Sequence, residues 1–273
     1  AEVDTLTFPD GLPTYLDTRW KTIDPATLQP GGWVLVDEEV AQLLQRLREQ
    51  GTPLGDYVNG RMYYGIKTGL NEAFVVDEAT KDRLIAEDPN SAEVIKPFLG
   101  GRDIKRYQQP EAKNYLLFTR RGIDIDKYPA VKAYLEQYKE RLMPRPKDVP
   151  ANKWSGRKPG SYKWYEIQDT VDYYAEFEKP KIVYQVFQVK PAFMWDENNS
   201  FCNNAIWIIP DVPKWLLGIL NSSMGWFLIS MHCTAIQNGY QLIAKYFEQI
   251  PIIEPDETTK ARLNALVDQA IAT

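Results

Sequence analysis

Apolar residues recur at helical spacing in several parts of the chain. The first such pattern follows the acidic residues 37–39 and predicts a helix that Trp33 opens and that ends at Gly51. The same spacing predicts helices over Ala130–Leu142 and Glu257–Ala272, and further helices are predicted over Glu78–Ala86, over Ala92–Phe98 after a cap at residues 88–91, and over the apolar stretch Lys214–Ser230.

Short apolar runs bounded by turn residues predict strands between these helices. The predicted strands are Arg61–Ile66, Ala73–Val76, Tyr115–Phe118, Lys181–Phe187, Ala192–Trp195 and Ala205–Ile209, with a short extended segment at Ile250–Ile253. Turns are expected at residues 100–107, where the chain feeds a strand, and at 237–239. The chain therefore mixes helices and strands throughout its length.

A glycine-rich turn lies between the predicted strands Arg61–Ile66 and Ala73–Val76. The pattern predicts a hairpin that displays Lys67, Thr68 and Asn71 at its tip. Side chains of these types reach phosphates and the edges of bases. The turn therefore suggests nucleic-acid binding, although Lys67 could equally hold a phosphate or stabilise the turn.

Charge is distributed unevenly along the 273 residues, whose formal net charge is −5. Residues 96–163 have 17 Lys and Arg against 7 Asp and Glu, whereas the rest of the chain has 15 basic and 30 acidic residues. A basic middle in an acidic protein is expected where one face meets a polyanion. A solvated basic surface without a partner explains the charge equally well.

The basic residues of this middle segment cluster near predicted turns and in a long loop, residues 143–163, of the kind that is usually functional or disordered. Lys and Arg at such positions can neutralise phosphates. The candidate DNA contacts, besides the three hairpin residues, are Arg102, Lys105, Arg106, Arg120, Arg121, Lys153, Arg157, Lys158 and Lys163.

Motifs for other chemistry are absent from the sequence or weak in it. There is no phosphate-binding P-loop, no dinucleotide fingerprint and no Asn/Asp-Pro-Pro-aromatic motif of amino-methyltransferases. The single histidine, His232, follows an apolar helix and is interpreted as a core or helix-end residue. Asp103 and Lys105 have the spacing of half a nuclease motif, with Glu93 as a second metal ligand, which leaves a metal-dependent nuclease as an alternative.

The cysteines, the longest apolar stretch and the N-terminal residues indicate the cellular context. Cys202 and Cys233 fit neither a disulfide framework nor a zinc site, so we expect reduced, buried thiols in a cytoplasmic protein. The longest apolar stretch, Trp215–Ile229, is too short and too polar at its centre to span a membrane. No signal peptide is visible at the N-terminus.

Several segments in a fixed order resemble one known family. They are Tyr64–Phe74, Ile95–Tyr107, Tyr128–Leu135, Trp164–Gln168, Phe177–Ile182, Leu220–Ser223 and Phe247–Ile252. From Trp33 onward the chain resembles the C-terminal specificity domain of TaqI-like and Eco57I-like DNA adenine methyltransferases, including combined restriction–modification enzymes.

This resemblance implies an α/β fold of mixed α+β type, with a twisted mixed β-sheet flanked by helices and a C-terminal helix. It implies a domain that grips double-stranded DNA and reads a short target. It also implies a missing upstream methyltransferase domain that binds S-adenosylmethionine and flips the target adenine, with no cofactor in this segment. Residues 1–30 would then be the linker, residues 31–255 the recognition domain and residues 256–273 a spacer or packing helix.

Three hypotheses follow from the sequence. The leading one is a DNA target-recognition domain without catalytic residues of its own. The second is the nuclease that uses Glu93, Asp103 and Lys105. The third is a protein-interaction module that docks a partner through Leu263, Leu266 and Val267 on the last helix.

Overall fold

The computed structural model describes residues 36–272 and divides the chain into two compact units, residues 1–49 and residues 50–273. Helix α1 (Glu38–Gln50) contains most of the described residues of the first unit. Acidic Glu38 and Glu39 lie in its first turn and Arg48 in its last, which is the favourable arrangement for the helix dipole. The predicted helix is confirmed there, whereas Trp33 and the predicted linker lie outside the described residues.

Short strands form four small sheets within residues 50–272. The strands are β1 (Thr52–Pro53), β2 (Tyr63–Tyr64), β3 (Val75–Asp77), β4 (Ile95–Leu99), β5 (Asn114–Leu117), β6 (Lys181–Gln185), β7 (Phe187–Gln188), β8 (Phe193–Asp196), β9 (Phe201–Cys202), β10 (Ile206–Pro210), β11 (Thr234–Ile236), β12 (Gly239–Gln241) and β13 (Pro251–Ile252). The sheet orders are β2-β10-β6-β8, β3-β5-β4-β9, β11-β12-β7 and β1-β13. All pairs are antiparallel except β4 with β9, so the predicted mixed α/β fold is confirmed.

Helices and short 3₁₀ turns connect these strands. The helices are α2 (Leu54–Tyr57), α3 (Asn71–Phe74), α4 (Glu78–Glu87), α5 (Pro129–Glu136), α6 (Lys139–Leu142), α7 (Lys214–Leu220), α8 (Ser223–His232), α9 (Ala244–Phe247) and α10 (Glu257–Ile271). The 3₁₀ turns are Pro89–Glu93, Gly101–Asp103, Ile125–Lys127, Ala151–Lys153 and Tyr174–Glu178. Within residues 36–272, no helix is both long enough and apolar enough to cross a membrane.

Strands β6 and β8 of the sheet β2-β10-β6-β8 are buried on both faces. Its register places Ile208, Val183 and Met194 side by side, and all three belong to the main apolar core. On the opposite face, the ring of Tyr184 lies 5.4 Å from that of Phe193 and 5.1 Å from that of Phe247, which follows from the alternation of side chains along a strand. A continuous apolar run such as Ile182–Tyr184, within the predicted strand Lys181–Phe187, is expected for a strand covered on both sides.

An ion pair lies inside this sheet. The Nζ atom of Lys181 is 2.6 Å from Oδ2 of Asp196, and both side chains are fully buried. The ammonium also donates to the carbonyl of Phe177. The carboxylate accepts from the backbone N–H groups of Asn198 and Ser200. The pair therefore joins β6, the end of β8 and the turn before β9.

The C-terminal helix α10 is confirmed and belongs to the second unit. Asp256 caps it by accepting from the backbone N–H of Thr259, and Val267 is buried against Gly218 of α7. Leu266 is 51% exposed, so only part of the predicted apolar stripe packs on the domain.

The predicted hairpin over residues 61–76 is wrong. Strand β2 pairs with β10, whereas β3 pairs with β5 in a different sheet. Between them the chain forms the helical turn α3 instead of returning on itself. Long-range pairing with β10 and β5 therefore overrides the local turn signal.

Other element predictions differ in ways that have local causes. The predicted helix Ala92–Phe98 is wrong: Asp88 caps only a 3₁₀ turn, and β4 then lies between β5 and β9. The predicted helix Lys214–Ser230 is two helices, because Ser222 caps a new one by accepting from Gly225 N–H. Residues 130–142 likewise divide into α5 and α6. The turn at residues 100–107 is separated from the next strand, β5, by irregular residues, and the sequence pattern missed β1, β9, β11 and β12.

Candidate nucleic-acid interface

The glycine-rich segment is held by a second segment that is distant in sequence. The backbone N–H of Lys67 donates to Oδ2 of Asp169 at 3.0 Å, and Asp169 N–H donates to the carbonyl of Lys67 at 3.2 Å. The next carbonyl, that of Thr68, accepts from Gln168 N–H at 3.0 Å. The backbone of Lys67 is thus fixed on both sides, whereas its side chain points to solvent and the residue is exposed.

Thr68 was predicted to contact DNA from the tip of a hairpin. It is instead buried, with only 1% of the residue exposed, so its side chain is not available to a ligand at the surface. Its hydroxyl donates to Oδ1 of Asn71 at 2.6 Å and accepts from Leu70 N–H at 3.2 Å. Thr68 therefore shapes the turn from within. Asn71 remains exposed as the first residue of α3, with its amide oxygen engaged by Thr68.

Arg157 was also predicted to contact DNA, but its side chain is buried, with only 4% of the residue exposed. Its five N–H groups donate to the backbone carbonyls of Leu142, Thr68, Glu166, Lys163 and Trp164 at distances of 2.7–3.1 Å. The guanidinium carbon lies 4.3 Å from the centre of the Tyr162 ring. Burial lowers the pKa of Arg157 to about 10, so the group is still charged at neutral pH.

Gly69 makes room for this buried arginine. Its φ of +86° is in the region that side chains rarely adopt, and an added Cβ would lie 2.8 Å from Cδ of Arg157. The glycine of this turn is therefore required by close packing and by backbone conformation together.

The turn after β5, residues 119–122, is hydrogen-bonded to the segment that surrounds Arg157. Ile167 N–H donates to the carbonyl of Thr119 at 2.9 Å, and the buried Glu166 carboxylate accepts from Gly122 N–H at 2.9 Å and from Lys163 N–H at 2.8 Å. Three distant segments thus meet at one place, which we call the junction: residues 67–71, 119–122 and 157–169.

The two arginines of the junction differ in their surroundings. Arg121 is half-buried, and its guanidinium donates to Oγ of Ser161 at 3.0 Å and to the carbonyl of Gln168 at 2.6 Å. Arg120 is exposed, with its guanidinium 5.1 Å from the centre of the Tyr174 ring. Arg120 is therefore the better placed of the two to meet a ligand.

The three lysines of the long loop that were predicted to contact DNA are all exposed. Lys158 follows Arg157 directly, and its carbonyl accepts from the Tyr162 hydroxyl. The ammonium of Lys163 lies 5.5 Å from the centre of the Tyr165 ring, whose hydroxyl raises the pKa of Lys163. Lys153 lies in a separate 3₁₀ turn of the loop. Lys158 and Lys163 thus belong to the junction, and Lys153 lies outside it.

Arg102, Lys105 and Arg106 form a second group. In the antiparallel pair of β4 and β5, Ile95 faces Leu117 and Phe98 faces Asn114. The segments that follow β4 and β5 therefore leave the sheet at opposite ends. Arg106 donates to the carbonyl of Asn221 at the end of α7, at 2.7 Å.

The predicted cations share one electrostatic property. Within the part of the chain that the structure describes, none of the ten predicted Lys and Arg residues has a carboxylate oxygen within 4.0 Å. Three other cations of the same basic segment do: Lys96 pairs with Glu178, Lys132 with Asp126 and Arg141 with Glu72. The exposed members of the predicted set are therefore available to an anionic ligand.

The residues of the nuclease alternative are occupied in other ways. Oε2 of Glu93 accepts from the Tyr128 hydroxyl at 2.8 Å, and Oδ2 of Asp103 accepts from Gly100 N–H at 2.7 Å. Across residues 36–272, no group of three or more His, Cys, Asp and Glu side chains is arranged to hold a metal ion. The nuclease alternative thus gains no support.

A β-ribbon that the sequence pattern missed is exposed. Strands β11 and β12 are joined by the two exposed residues Gln237 and Asn238, and β12 pairs with β7. The register places Thr234, Gln241 and Phe187 on one face, and Phe187 is 54% exposed. On the other face the ring of Tyr240 packs against Trp226 at 5.2 Å. We call residues 234–241 the ribbon.

The ribbon contains no acidic residue, although the chain has 37 Asp and Glu. Its closest approach to β7 requires glycine, because a Cβ on Gly239 would lie 2.0 Å from the carbonyl of Gln188. The Gln-Asn-Gly sequence was a turn signal for this position, but strands of three residues are too short to be read from apolar alternation.

The remaining candidate residues are structural. His232 is the last residue of α8, and its Nδ1 lies 2.9 Å from the carbonyl of Leu228, as expected for a helix-end histidine. Cys202 and Cys233 are buried and free of disulfides. Burial raises the pKa of both thiols, that of Cys233 to about 12.

Comparisons with known proteins agree with this architecture. The model of one family, described as the TaqI-like C-terminal specificity domain, matches residues 96–252. The type II methyltransferase M.BstVI of Geobacillus stearothermophilus is 23% identical over an alignment of 272 residues, which covers 94% of this chain and 44% of that protein. The chain therefore spans less than half of this curated relative.

Two solved structures match the chain at low sequence identity. The type IIL restriction-modification enzyme MmeI, solved in complex with DNA, has a TM-score of 0.51 at 20% identity, covering 77% of this chain and 26% of that one. The type IIG restriction endonuclease BpuSI has a TM-score of 0.47 at 13% identity, covering 84% of this chain and 28% of that one. The similarity to MmeI supports a shared fold.

Proposed function

The chain belongs to the family of TaqI-like C-terminal specificity domains, and we propose that it binds double-stranded DNA and selects the sequence on which a parent enzyme acts. The observation that carries this proposal is the set of exposed cations that have no carboxylate partner among residues 36–272, in a chain of net charge −5. Cations left unpaired in an acidic protein are expected where phosphates take the place of carboxylates.

The junction and the second group divide the phosphate contacts between them in this proposal. Lys67, Arg120, Lys158 and Lys163 lie at the junction, and Arg102, Lys105 and Arg106 lie beyond the other end of β4. Such contacts fix the orientation of the duplex and contribute affinity without sequence information. Sequence must then be read by another element.

We assign base reading to the ribbon. A two-stranded ribbon fits the major groove, where glutamine and asparagine pair with adenine edges and apolar groups contact the thymine methyl. Gln237 and Asn238 lie at its exposed turn, with Gln241, Thr234 and Phe187 on its exposed face.

The parent protein is proposed from the same family membership. It would be a site-specific DNA adenine methyltransferase whose upstream domain binds S-adenosylmethionine and receives the flipped adenine. That cofactor, that domain and a cytoplasmic location stay predictions.

Selection from a duplex library with a randomised segment tests the proposal. We expect the chain to retain duplexes that share a short motif, and to bind the consensus more tightly than scrambled sequence by at least about tenfold. Retention without any shared motif, or no retention of duplex, would contradict it.

Replacing Gln237 and Asn238 by alanine is expected to relax this selection. Loss of one bidentate base contact costs about 1–3 kcal/mol of discrimination, whereas non-specific affinity depends on phosphates and is expected to change little. Binding of consensus and scrambled duplexes by fluorescence anisotropy measures both effects. The control is Gln137→Ala, an exposed glutamine between α5 and α6. Equal discrimination by the ribbon variant and the wild type would remove the ribbon from base reading.

A further inference from the structure

We propose that Arg157 is a positioning residue for DNA: its buried guanidinium fixes the backbone that presents Lys67, Lys158 and Lys163 to phosphates. This inference rests on the proposed function. It assigns affinity to a residue that lies beneath the surface and does not touch the duplex.

The contacts of Arg157 lead directly to the three lysines. Its Nη1 atom donates to the carbonyl of Thr68, which is the neighbour of Lys67 in the chain. Its Nη2 atom donates to the carbonyl of Lys163 itself at 3.1 Å. Lys158 is the next residue along the chain, and the backbone N–H and carbonyl of Arg157 bond to the Met143 carbonyl and the Arg145 N–H, both at 3.0 Å.

The role requires the arginine fork and not merely a positive charge. A guanidinium presents five N–H donors in one plane, and here each meets a different backbone carbonyl. A lysine at this position has three donors on a single atom, so it cannot reach carbonyls on both sides of the fork. Arg157→Lys therefore keeps the charge and removes the geometry.

A fixed backbone raises affinity because the loop is ordered before DNA arrives. Residues 143–163 have little regular structure of their own, and their ordering would otherwise oppose binding. With Arg157 in place, the backbone is fixed and only the lysine side chains remain to be ordered when DNA binds. Without it, the three lysines keep their charge but lose their common arrangement.

A double-mutant cycle tests the coupling between Arg157 and Lys67. Lys67→Gln, Arg157→Lys and the double variant are compared by equilibrium binding to one duplex, at a temperature where circular dichroism shows each to be folded. In the wild-type background we expect Lys67→Gln to weaken binding by about three- to tenfold, the effect of one phosphate contact. In the Arg157→Lys background we expect less than about twofold, because the two residues act as one unit.

The matched control is Lys105→Gln, whose side chain is exposed and belongs to the second group. Its effect is expected to be equal in both backgrounds. Arg157→Lys would leave the affinity of the folded protein unchanged if the arginine served stability alone. That result, or equal effects of Lys67→Gln in both backgrounds, would overturn the inference.

Hydrogen exchange of the wild type keeps the inference testable if Arg157→Lys does not fold. We expect the amides of Lys67, Gln168 and Asp169 to be protected equally in the free and the DNA-bound protein. Strong protection that arises only with DNA would overturn the inference. Absence of duplex binding by the wild type would instead contradict the proposed function itself.

Discussion

Replacing Asp196 by alanine is expected to lower the free energy of unfolding by about 3–5 kcal/mol, because it leaves a charged lysine in the core. The Lys181 ammonium and the Asp196 carboxylate are 2.6 Å apart, and neither side chain is exposed to water. The substitution also removes the acceptor for the backbone N–H groups of Asn198 and Ser200. Urea denaturation followed by circular dichroism measures the loss.

A surface pair provides the control for this prediction. Glu72→Ala breaks the contact with Arg141, in which both side chains are about half exposed, so water screens the pair and the variant should lose far less stability than Asp196→Ala. The double replacement Lys181→Met with Asp196→Leu should recover much of the stability lost in Asp196→Ala. A loss below about 1 kcal/mol in Asp196→Ala would show that the buried pair does not stabilise β6 and β8.

Neutralising Lys67, Lys158 and Lys163 together is expected to weaken duplex binding on the order of 10²–10³-fold at about 0.1 M salt. Each lysine that contacts a phosphate releases about one counterion, so the slope of log K against log salt should fall by about three. The triple glutamine variant should keep its fold, because these side chains are exposed and have no carboxylate partner in the described residues. Fluorescence anisotropy over a range of salt concentrations gives both quantities.

A second triple variant separates position from total charge. Lys81, Lys132 and Lys179 are each paired with a carboxylate, so their replacement by glutamine makes the same change in net charge away from the predicted contacts. We expect it to change affinity by less than about tenfold and the slope by less than one. Equal losses in the two variants would mean that binding depends on net charge and not on the junction.

Sequence patterns predicted the elements whose signals are local. Helices α4 and α10 each begin with an aspartate cap, and β6, β8 and β10 are largely apolar because most of their side chains are buried. The supposed hairpin failed because its two strands pair with partners more than 30 residues away, β10 and β5. Turn chemistry alone does not encode those partners.

The sequence predicted that the candidate site is basic, but it did not predict which of its residues are buried. The excess of Lys and Arg over residues 96–163 indicated a basic surface, and eight of the ten predicted cations are outside the core. Arg157 is the buried exception, with Arg121 half-buried, because acceptors from residues 68, 142 and 163–166 converge only in the folded chain. Thr68 was misplaced for the same reason. The ribbon was missed because its strands are three residues long.

The salt dependence of duplex binding by the unmodified chain tests the central claim most directly. With four junction cations and three in the second group available to phosphates, we expect log K to fall linearly with log salt, with a slope of about −4 to −6. Between about 50 and 200 mM salt this corresponds to a loss on the order of 10²–10⁴ in affinity. A binding constant that does not change over that range, or the absence of duplex binding at the lowest salt, would contradict the assignment of these cations to DNA.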